Sequence, residues 1–120
     1  MSVGPYCAEA GSLVRGGVRL AALDLTLYEV VNVVAKRYRD PEEARRIAQA
    51  IVRTCGDDLL RVDRELIDEA IEVVAEHGLT SYDAAYVAAA RRYGWQLVSL
   101  DVRDLVSKGL AVTPDAALYP

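Results

Sequence analysis

Three carboxylates stand where the surrounding sequence gives little reason for a charge. Asp83 lies in LTSYDAAYVAAA, residues 79–90, a run of small apolar side chains that predicts a helix buried on most sides. Glu29 has the equivalent place in LTLYEVVNVV, residues 25–34, and Asp101 directly follows the apolar run LVSL. Because carboxylates are seldom buried without a partner, each of these acids either caps a helix or does chemistry.

Divalent-metal binding is the chemistry that three converging carboxylates predict. Two carboxylates about 5 Å apart repel by roughly 3 kcal/mol at an effective dielectric near 20. A cation relieves this repulsion, and Mg²⁺ in particular takes carboxylate oxygens while keeping waters for a phosphate substrate. The single His and the two widely separated Cys disfavour a zinc site.

Three further polar residues are candidates for supporting roles. Asn32 follows Glu29 by three residues and is expected on the same helix face, where it either holds a carboxylate or a metal-bound water or is a core amide. Ser99 precedes Asp101 by two residues and is expected on the same side of a strand. Asp104 is a weaker candidate, since surface helices often carry an acid in their first turn.

Helix capping is the structural alternative for two of the acids. Thr26 stands three residues before Glu29, and Thr80 stands three residues before Asp83. This is the capping-box spacing, in which the acid accepts a hydrogen bond from the amide of the cap residue. On this interpretation each acid stabilises its helix by about 1 kcal/mol and binds nothing.

Strands alternate with helices along the chain, which predicts an α/β fold with a short, mainly parallel sheet covered by helices. The predicted elements are strand 17–24, helix 26–39, helix 42–54, a short extended piece 58–62, helix 63–76, helix 80–93, strand 96–100, a brief helix near 102–107 and an extended segment 110–113. The helices 26–39 and 80–93 are the more apolar and are expected to be buried. If strands 18–23 and 96–100 are parallel, the three acids leave the same edge of the sheet, where ligands bind in such folds.

The composition indicates one soluble domain spanning residues 1–120. An apolar fraction of 52% and a charged fraction of 27% are ordinary for a globular protein, and the start of the chain does not resemble a signal peptide. We therefore expect a cytoplasmic protein. Cys7 and Cys55 are expected to be buried thiols, with a disulfide as the alternative.

The net charge of −4 disfavours a dedicated nucleic-acid coat, but it allows an enzyme that holds phosphate through a metal. Lys36, Arg37 and Arg39 form one basic cluster, and Arg91 and Arg92 form another. Both clusters lie near predicted helix C-termini. They either complement the helix dipole or contact an RNA backbone.

The segments LTLYEVVNVV, LTSYDAAYVAAA and LVSLD resemble, in this order and spacing, the PIN-domain nucleases, and in particular the VapC toxins of toxin–antitoxin pairs. The resemblance implies a PIN-like three-layer α/β sandwich in which four acids bind Mg²⁺ or Mn²⁺ and hydrolyse RNA. Glu29, Asp83 and Asp101 match the second, third and fourth acids. Asn32 and Ser99 match polar residues that are common beside them. The family also implies a VapB-like antitoxin and a homodimer as partners.

The first acid of the family has no match in this sequence. Family members begin with a short apolar strand that ends in Asp, whereas residues 1–17, MSVGPYCAEAGSLVRGG, contain no such strand, and Glu9 is not preceded by one. We therefore expect a domain that is N-terminally truncated relative to the family. The predicted function is a metal-dependent endoribonuclease that is impaired by the missing acid. The alternative is a catalytically inactive PIN-like module that binds an antitoxin or another protein.

Overall fold

Residues 19–98 and 105–113 are described by the computed structural model of the protein. Their contacts divide them into two units, one formed by residues 19–61 and the other by residues 62–98 with 105–113. Among these residues no helix is long and apolar enough to cross a membrane. The predicted organisation as one domain spanning residues 1–120 stays a prediction.

A two-stranded parallel sheet lies in the first unit. Strand β1 is Ala22–Leu23 and strand β2 is Leu59–Leu60, with Ala22 opposite Leu59 and Leu23 opposite Leu60. The pairing continues one residue further, because the Asp24 amide donates to the Leu60 carbonyl at 2.8 Å. Both strands are shorter than the predicted ranges 17–24 and 58–62, of which residues 17 and 18 lie outside the described part.

The helix after β1 begins earlier than predicted and changes type. Helix α1 is Leu25–Val30, and it continues directly as a π-helix over Val31–Arg37. The Tyr38 amide donates to the Val33 carbonyl at 3.1 Å, which is the five-residue spacing of a π-helix. The prediction of one regular α-helix over 26–39 is therefore wrong. The segment is rich in valine, whose β-branched side chain is a weak α-helix former.

Helix α2, Pro41–Cys55, confirms the predicted helix 42–54. Asp40 occupies the N-cap, where its side chain accepts a hydrogen bond from the Glu43 amide at 3.0 Å, and Pro41 takes the first helical position. Helix α2 packs Ala44 and Ile47 against Val34 of the π-helix. A single turn of 3₁₀-helix, Gly56–Asp58, then leads into β2.

The predicted burial of segment 26–39 is wrong over most of its length. Thr26 and Val34 are buried, but Tyr28 is 75% exposed, and Val31 and Val33 are also exposed. The apolar character of Tyr28, Val31 and Val33 therefore does not mean that they lie in the core.

The second unit contains two helices, each followed by a glycine. Helix α3 is Arg64–His77 and helix α4 is Ser81–Tyr93, and the two pack against each other. Gly78 and Gly94 follow them in the left-handed conformation, both with φ 66°, which glycine adopts without a side-chain clash. These bounds confirm the predicted helices 63–76 and 80–93.

Burial in the second unit follows the predicted contrast between the two helices. Helix α4 is buried continuously from Ala84 to Ala89, whereas α3 is buried only at Leu66, Ala70 and Val73. Beyond α4, Val98 forms a parallel bridge with Val112. The described residues are thus mostly helical with short parallel β pairing, as the predicted α/β fold class requires.

Candidate acidic site

Glu29 and Asn32 lie on either side of the junction between α1 and the π-helix. Glu29 is the fifth residue of α1 and is half-buried, whereas Asn32 is the second residue of the π-helix and is exposed. The prediction that they share a face assumed α-helical spacing, which does not hold beyond Val30. The supporting role of Asn32 stays a prediction.

Thr26 is not the N-cap that the capping interpretation of Glu29 requires. Asp24, not Thr26, occupies the N-cap of α1, and no side-chain capping hydrogen bond is made there. Thr26 lies inside the helix and is only 5% exposed. The predicted capping box at Thr26 and Glu29 is therefore wrong, because the N-cap lies two residues earlier, at Asp24, and Thr26 lies within the helix.

Asp83 is the third residue of α4 and is half-buried between the exposed Tyr82 and the buried Ala84. Thr80 is the N-cap, and its Oγ1 accepts a hydrogen bond from the Asp83 amide at 3.2 Å. Thr80 is thus confirmed as the N-cap, whereas the return hydrogen bond from the Thr80 amide to the Asp83 carboxylate stays a prediction. Because Asp83 lies in the first turn, the positive end of the helix dipole also favours its negative charge.

The other three predicted site residues, Ser99, Asp101 and Asp104, lie outside the described residues. Glu29 belongs to the first unit and Asp83 to the second, so their convergence with Asp101 stays a prediction. Within residues 19–98 and 105–113, no three His, Cys, Asp or Glu side chains form a group that could hold a metal ion. The predicted set of Glu29 and Asp83 needs Asp101 as its third acid. The donor atoms of these three residues are all carboxylate oxygens, which fit Mg²⁺ or Mn²⁺ and not zinc.

Arg92 connects the end of α4, the helix that carries Asp83, to α3. Its Nη2 lies 2.9 Å from a Glu69 carboxylate oxygen, and its Nη1 lies 3.5 Å from Asp63. Asp63 is the N-cap of α3 and accepts the Leu66 amide at 2.8 Å. This amide, and further the charge of Arg92, hold the pKa of Asp63 below its usual range. The ion pairs with Glu69 and Asp63 link the end of α4 to α3.

Arg91 and Lys108 contact the end of α3. Arg91 Nη1 lies 3.4 Å from a Glu76 carboxylate oxygen, and Lys108 Nζ donates to the His77 carbonyl at 2.9 Å. Arg91 and Arg92 are therefore both engaged in ion pairs. Both cations lie in the last turn of α4, as the dipole alternative for this basic cluster requires, and RNA contact stays a prediction.

Arg19 and Asp58 form an ion pair in the first unit. Arg19 Nε and Nη2 donate to the two Asp58 oxygens at 2.7 and 2.8 Å, which ties the residues before β1 to the turn before β2. This bidentate pair lowers the pKa of Asp58. The partners are 39 residues apart, so nothing in the local sequence could have predicted the contact.

Cys55 is a free thiol, as the first of the two cysteine interpretations predicted, but it is half-buried and not buried. Removal from water, followed by the nearby charge of Asp58, raises its pKa. Cys7 lies outside the described residues.

The PIN-domain profile matches residues 8–107. This chain belongs to the PIN-domain family. It is 34% identical over 111 residues to a protein named Ribonuclease VapC3 from Pyrobaculum aerophilum, with 88% of this chain and 84% of that protein covered. It is also 33% identical to a protein named Exonuclease VapC9 from the same organism, with 75% of this chain and 67% of that protein covered. The resemblance to VapC proteins is thereby confirmed.

Solved structures show the PIN-like fold independently. The crystal structure of PAE2754 from Pyrobaculum aerophilum superposes with a TM-score of 0.71 at 29% identity, and 92% of this chain and 78% of that chain are covered. A toxin–antitoxin complex from Klebsiella pneumoniae superposes with a TM-score of 0.68 at 20% identity, covering 90% of this chain and 85% of that chain. The predicted PIN-like fold class is confirmed.

Proposed function

We propose that this VapC-like PIN protein is a metal-dependent endoribonuclease that hydrolyses RNA phosphodiester bonds. The observation that carries the proposal is the position of Asp83, a half-buried carboxylate in the first turn of a helix whose next six residues are all buried. The similarity to a protein named as a ribonuclease, over 88% of this chain, gives the reaction class.

The balance of energies argues that a cation belongs beside Asp83. A helix N-terminus stabilises a carboxylate by about 0.3–1 kcal/mol. Repulsion from one neighbouring carboxylate costs roughly 3 kcal/mol at about 5 Å, so the dipole offsets only part of it. If Glu29 and Asp101 join Asp83, protonation or a bound cation must supply the rest.

In the proposed site Asp83 and Asp101 bind Mg²⁺ or Mn²⁺ directly, and Glu29 binds it directly or orients one of its waters. When bound, the metal supplies a Lewis acid for the phosphate and a water of lowered pKa. Asn32 and Ser99 hold the carboxylates in place, and Asp104 is a weaker candidate for the same role. The half-buried positions of Glu29 and Asp83 suit residues that must contact both protein and substrate.

The proposed partners are an antitoxin of the VapB type and a second copy of this chain, acting in the cytoplasm. The similarity to proteins named VapC supports the proposed antitoxin, and the proposed second copy rests on the family resemblance alone. The toxin–antitoxin neighbour supplies a precedent for the fold only, since its identity to this chain is 20%.

The experiment that tests the proposal is cleavage of a labelled single-stranded RNA by the full chain, purified in EDTA and then supplied with Mg²⁺ or Mn²⁺. We expect cleavage that requires the metal and is abolished by Asp83→Asn. Asp68→Asn is the matched control, because Asp68 is an exposed aspartate on α3 and should leave cleavage unchanged.

Two results would reject the proposal. Cleavage that survives Asp83→Asn would come from a contaminating nuclease. A folded wild-type chain that cleaves no RNA with either metal, shows no metal-induced rise in melting temperature and retains an antitoxin through purification would instead be the inactive partner-binding module.

A further inference from the structure

Residues 36–39, here called the basic tip, combine three cations with an exposed aromatic ring. Lys36 and Arg37 end the π-helix, Tyr38 follows as its C-cap, and Arg39 completes the segment. All four residues are exposed, and Tyr38 is 64% exposed. The Arg37 guanidinium carbon lies 5.9 Å from the centre of that ring, within the range of a cation–π contact.

The cations of the basic tip are not neutralised by nearby acids. Asp40 accepts the Glu43 amide as the cap of α2, Glu42 pairs with Arg45, and Glu43 pairs with Arg46. Across the described residues, none of the three tip cations forms an ion pair. This contrasts with Arg91 and Arg92, which are both paired.

The helix dipole accounts for only part of this charge. Its effect falls off within the last turn, where Lys36 and Arg37 already lie. Arg39 lies beyond the helix. For comparison, the longer helix α2 carries a single cation, Arg53, in its last turn.

Arg39 also occupies a backbone conformation that a side chain makes costly. Its φ is 55°, and it is the one non-glycine residue with positive φ in the described part of the chain. Glycine serves at the end of α4, where Gly94 has φ 66° and the following Trp95 amide donates back to the Ala90 carbonyl at 2.9 Å. At the end of the π-helix the Asp40 amide likewise donates back to the Val34 carbonyl at 3.0 Å, but the preceding left-handed residue there is Arg39 and not a glycine.

Glycine would therefore satisfy the backbone at position 39 with less strain than arginine. Non-glycine residues in the left-handed region recur at functional sites, where the side chain does something that glycine cannot. A strained, exposed and unpaired arginine beside an exposed tyrosine indicates a ligand that is both anionic and aromatic.

We propose that the basic tip binds single-stranded RNA, with Lys36, Arg37 and Arg39 contacting phosphates and the Tyr38 ring stacking on an unpaired base. Cations and aromatic rings are the two components that single-stranded nucleic acids require of a binding surface. An acidic polypeptide would use the cations but would leave the ring without a stacking partner. The choice of RNA rests on the proposed function.

Fluorescence anisotropy of a labelled oligouridine tests the proposal with the full chain in EDTA, so that no metal-dependent cleavage can occur. Tyr38→Ala should weaken binding by about fivefold to a hundredfold, the range measured for loss of one stacked base, and Tyr38→Phe should bind like the wild type. Arg39→Gly should weaken binding and reduce the slope of log affinity against log salt concentration by about 0.7. Arg53→Gln is the matched control and should bind like the wild type.

The melting temperature separates a binding role from a structural one. Because glycine relieves the left-handed strain, Arg39→Gly should melt at or above the wild-type temperature while binding RNA less tightly. A variant that loses affinity only because it unfolds would melt lower.

Unchanged oligouridine affinity in both Tyr38→Ala and Arg39→Gly would overturn the proposal. So would tip variants that weaken binding of a labelled polyglutamate peptide but not of oligouridine, because the surface would then serve an acidic protein. Since binding is measured without metal, loss of cleavage in Asp83→Asn with intact oligouridine binding bears on the nuclease proposal alone.

Discussion

The Oγ1 atom of Thr80 accepts a hydrogen bond from the Asp83 amide at 3.2 Å, so one hydroxyl both starts helix α4 and fixes the backbone of the candidate metal ligand. The cap uses the amide of Asp83 and leaves the role of its carboxylate to be decided by other contacts. The structural and chemical interpretations of this segment are therefore compatible at Thr80, and they differ only in what the Asp83 carboxylate does.

Removal of the Thr80 hydroxyl should destabilise the chain without altering the charge of the site. We expect Thr80→Ala to lower the free energy of unfolding by about 1 kcal/mol, because one amide of the first turn loses its acceptor. Thr80→Ser keeps an acceptor and should remain within a few tenths of a kcal/mol of the wild type. Urea denaturation measures both, and equal stability of the two variants would show that the cap contributes nothing.

Neutralisation of Asp83 should raise the free energy of unfolding when metal is absent, whereas removal of the Thr80 hydroxyl should lower it. If Asp83 only benefits from the helix dipole, Asp83→Asn costs about 0.3–1 kcal/mol. If it is crowded by Glu29 and Asp101, removal of the charge relieves a larger repulsion, and the variant becomes more stable than the wild type in EDTA. We expect the second result from urea denaturation, and a loss of stability would favour the dipole-only interpretation.

Metal should stabilise the wild type but not Asp83→Asn. A ligand present at about 100 times its dissociation constant stabilises the folded state by about 2.7 kcal/mol when it does not bind the unfolded chain. We expect Mn²⁺ to raise the melting temperature of the wild type and of Asp68→Asn, and to have little effect on Asp83→Asn. An equal rise in all three proteins would place the metal elsewhere.

The helices of the described part could largely be predicted because their ends carry local signals. Asp40 with Pro41 marks the start of α2, Thr80 marks the start of α4, and Gly78 and Gly94 mark two ends. Capping and left-handed turns involve residues three or four apart, so a local sequence specifies them.

The π-helix and the candidate site depend on more than local sequence. Nothing in the valine-rich run around Val31 distinguishes five-residue from four-residue hydrogen bonding, and an apolar pattern alone suggested burial for the exposed Tyr28. The site needs Glu29, Asp83 and Asp101 to meet from distant parts of the chain, and long-range convergence has no local signature. The family resemblance, not the helix pattern, gave the roles of these acids.

The lowered pKa of Asp63 predicts a specific loss of stability in acid. A carboxylate whose pKa is lower in the folded state adds stability above its unfolded-state pKa of about 3.9, and this is lost as the pH falls through the folded-state value. Asp63→Asn retains a good N-cap residue but cannot titrate. We therefore expect the wild type to be more stable than Asp63→Asn near neutral pH, with the difference shrinking below about pH 4 in urea denaturation.

Arg92→Gln provides the control for this acid dependence. Arg92→Gln removes a charge that lowers the pKa of Asp63 and leaves the Leu66 amide in place. The difference in free energy of unfolding between Arg92→Gln and the double variant Arg92→Gln with Asp63→Asn should therefore be smaller than that between wild type and Asp63→Asn, but not zero. A difference between wild type and Asp63→Asn that stays constant from neutral to acid pH would contradict the proposed role of the carboxylate charge.

Two adjacent apolar residues of α3 test whether the burial pattern reports the real core. Leu66 is 1% exposed, whereas Ile67 is 51% exposed on the same helix. Leu66→Ala removes buried methyl groups and leaves a cavity, so it should lower the free energy of unfolding by about 2–5 kcal/mol. Ile67→Ala should change it by less than about 0.5 kcal/mol in the same urea denaturation, since exposed substitutions cost little. The helix propensities of Leu and Ile differ by only about a few tenths of a kcal/mol, so propensity cannot explain a difference of about 2 kcal/mol or more between the two variants. If Ile67→Ala were as costly as Leu66→Ala, the exposed flank of α3 would have to be covered in solution, and the destabilisation would then diminish on dilution of the protein.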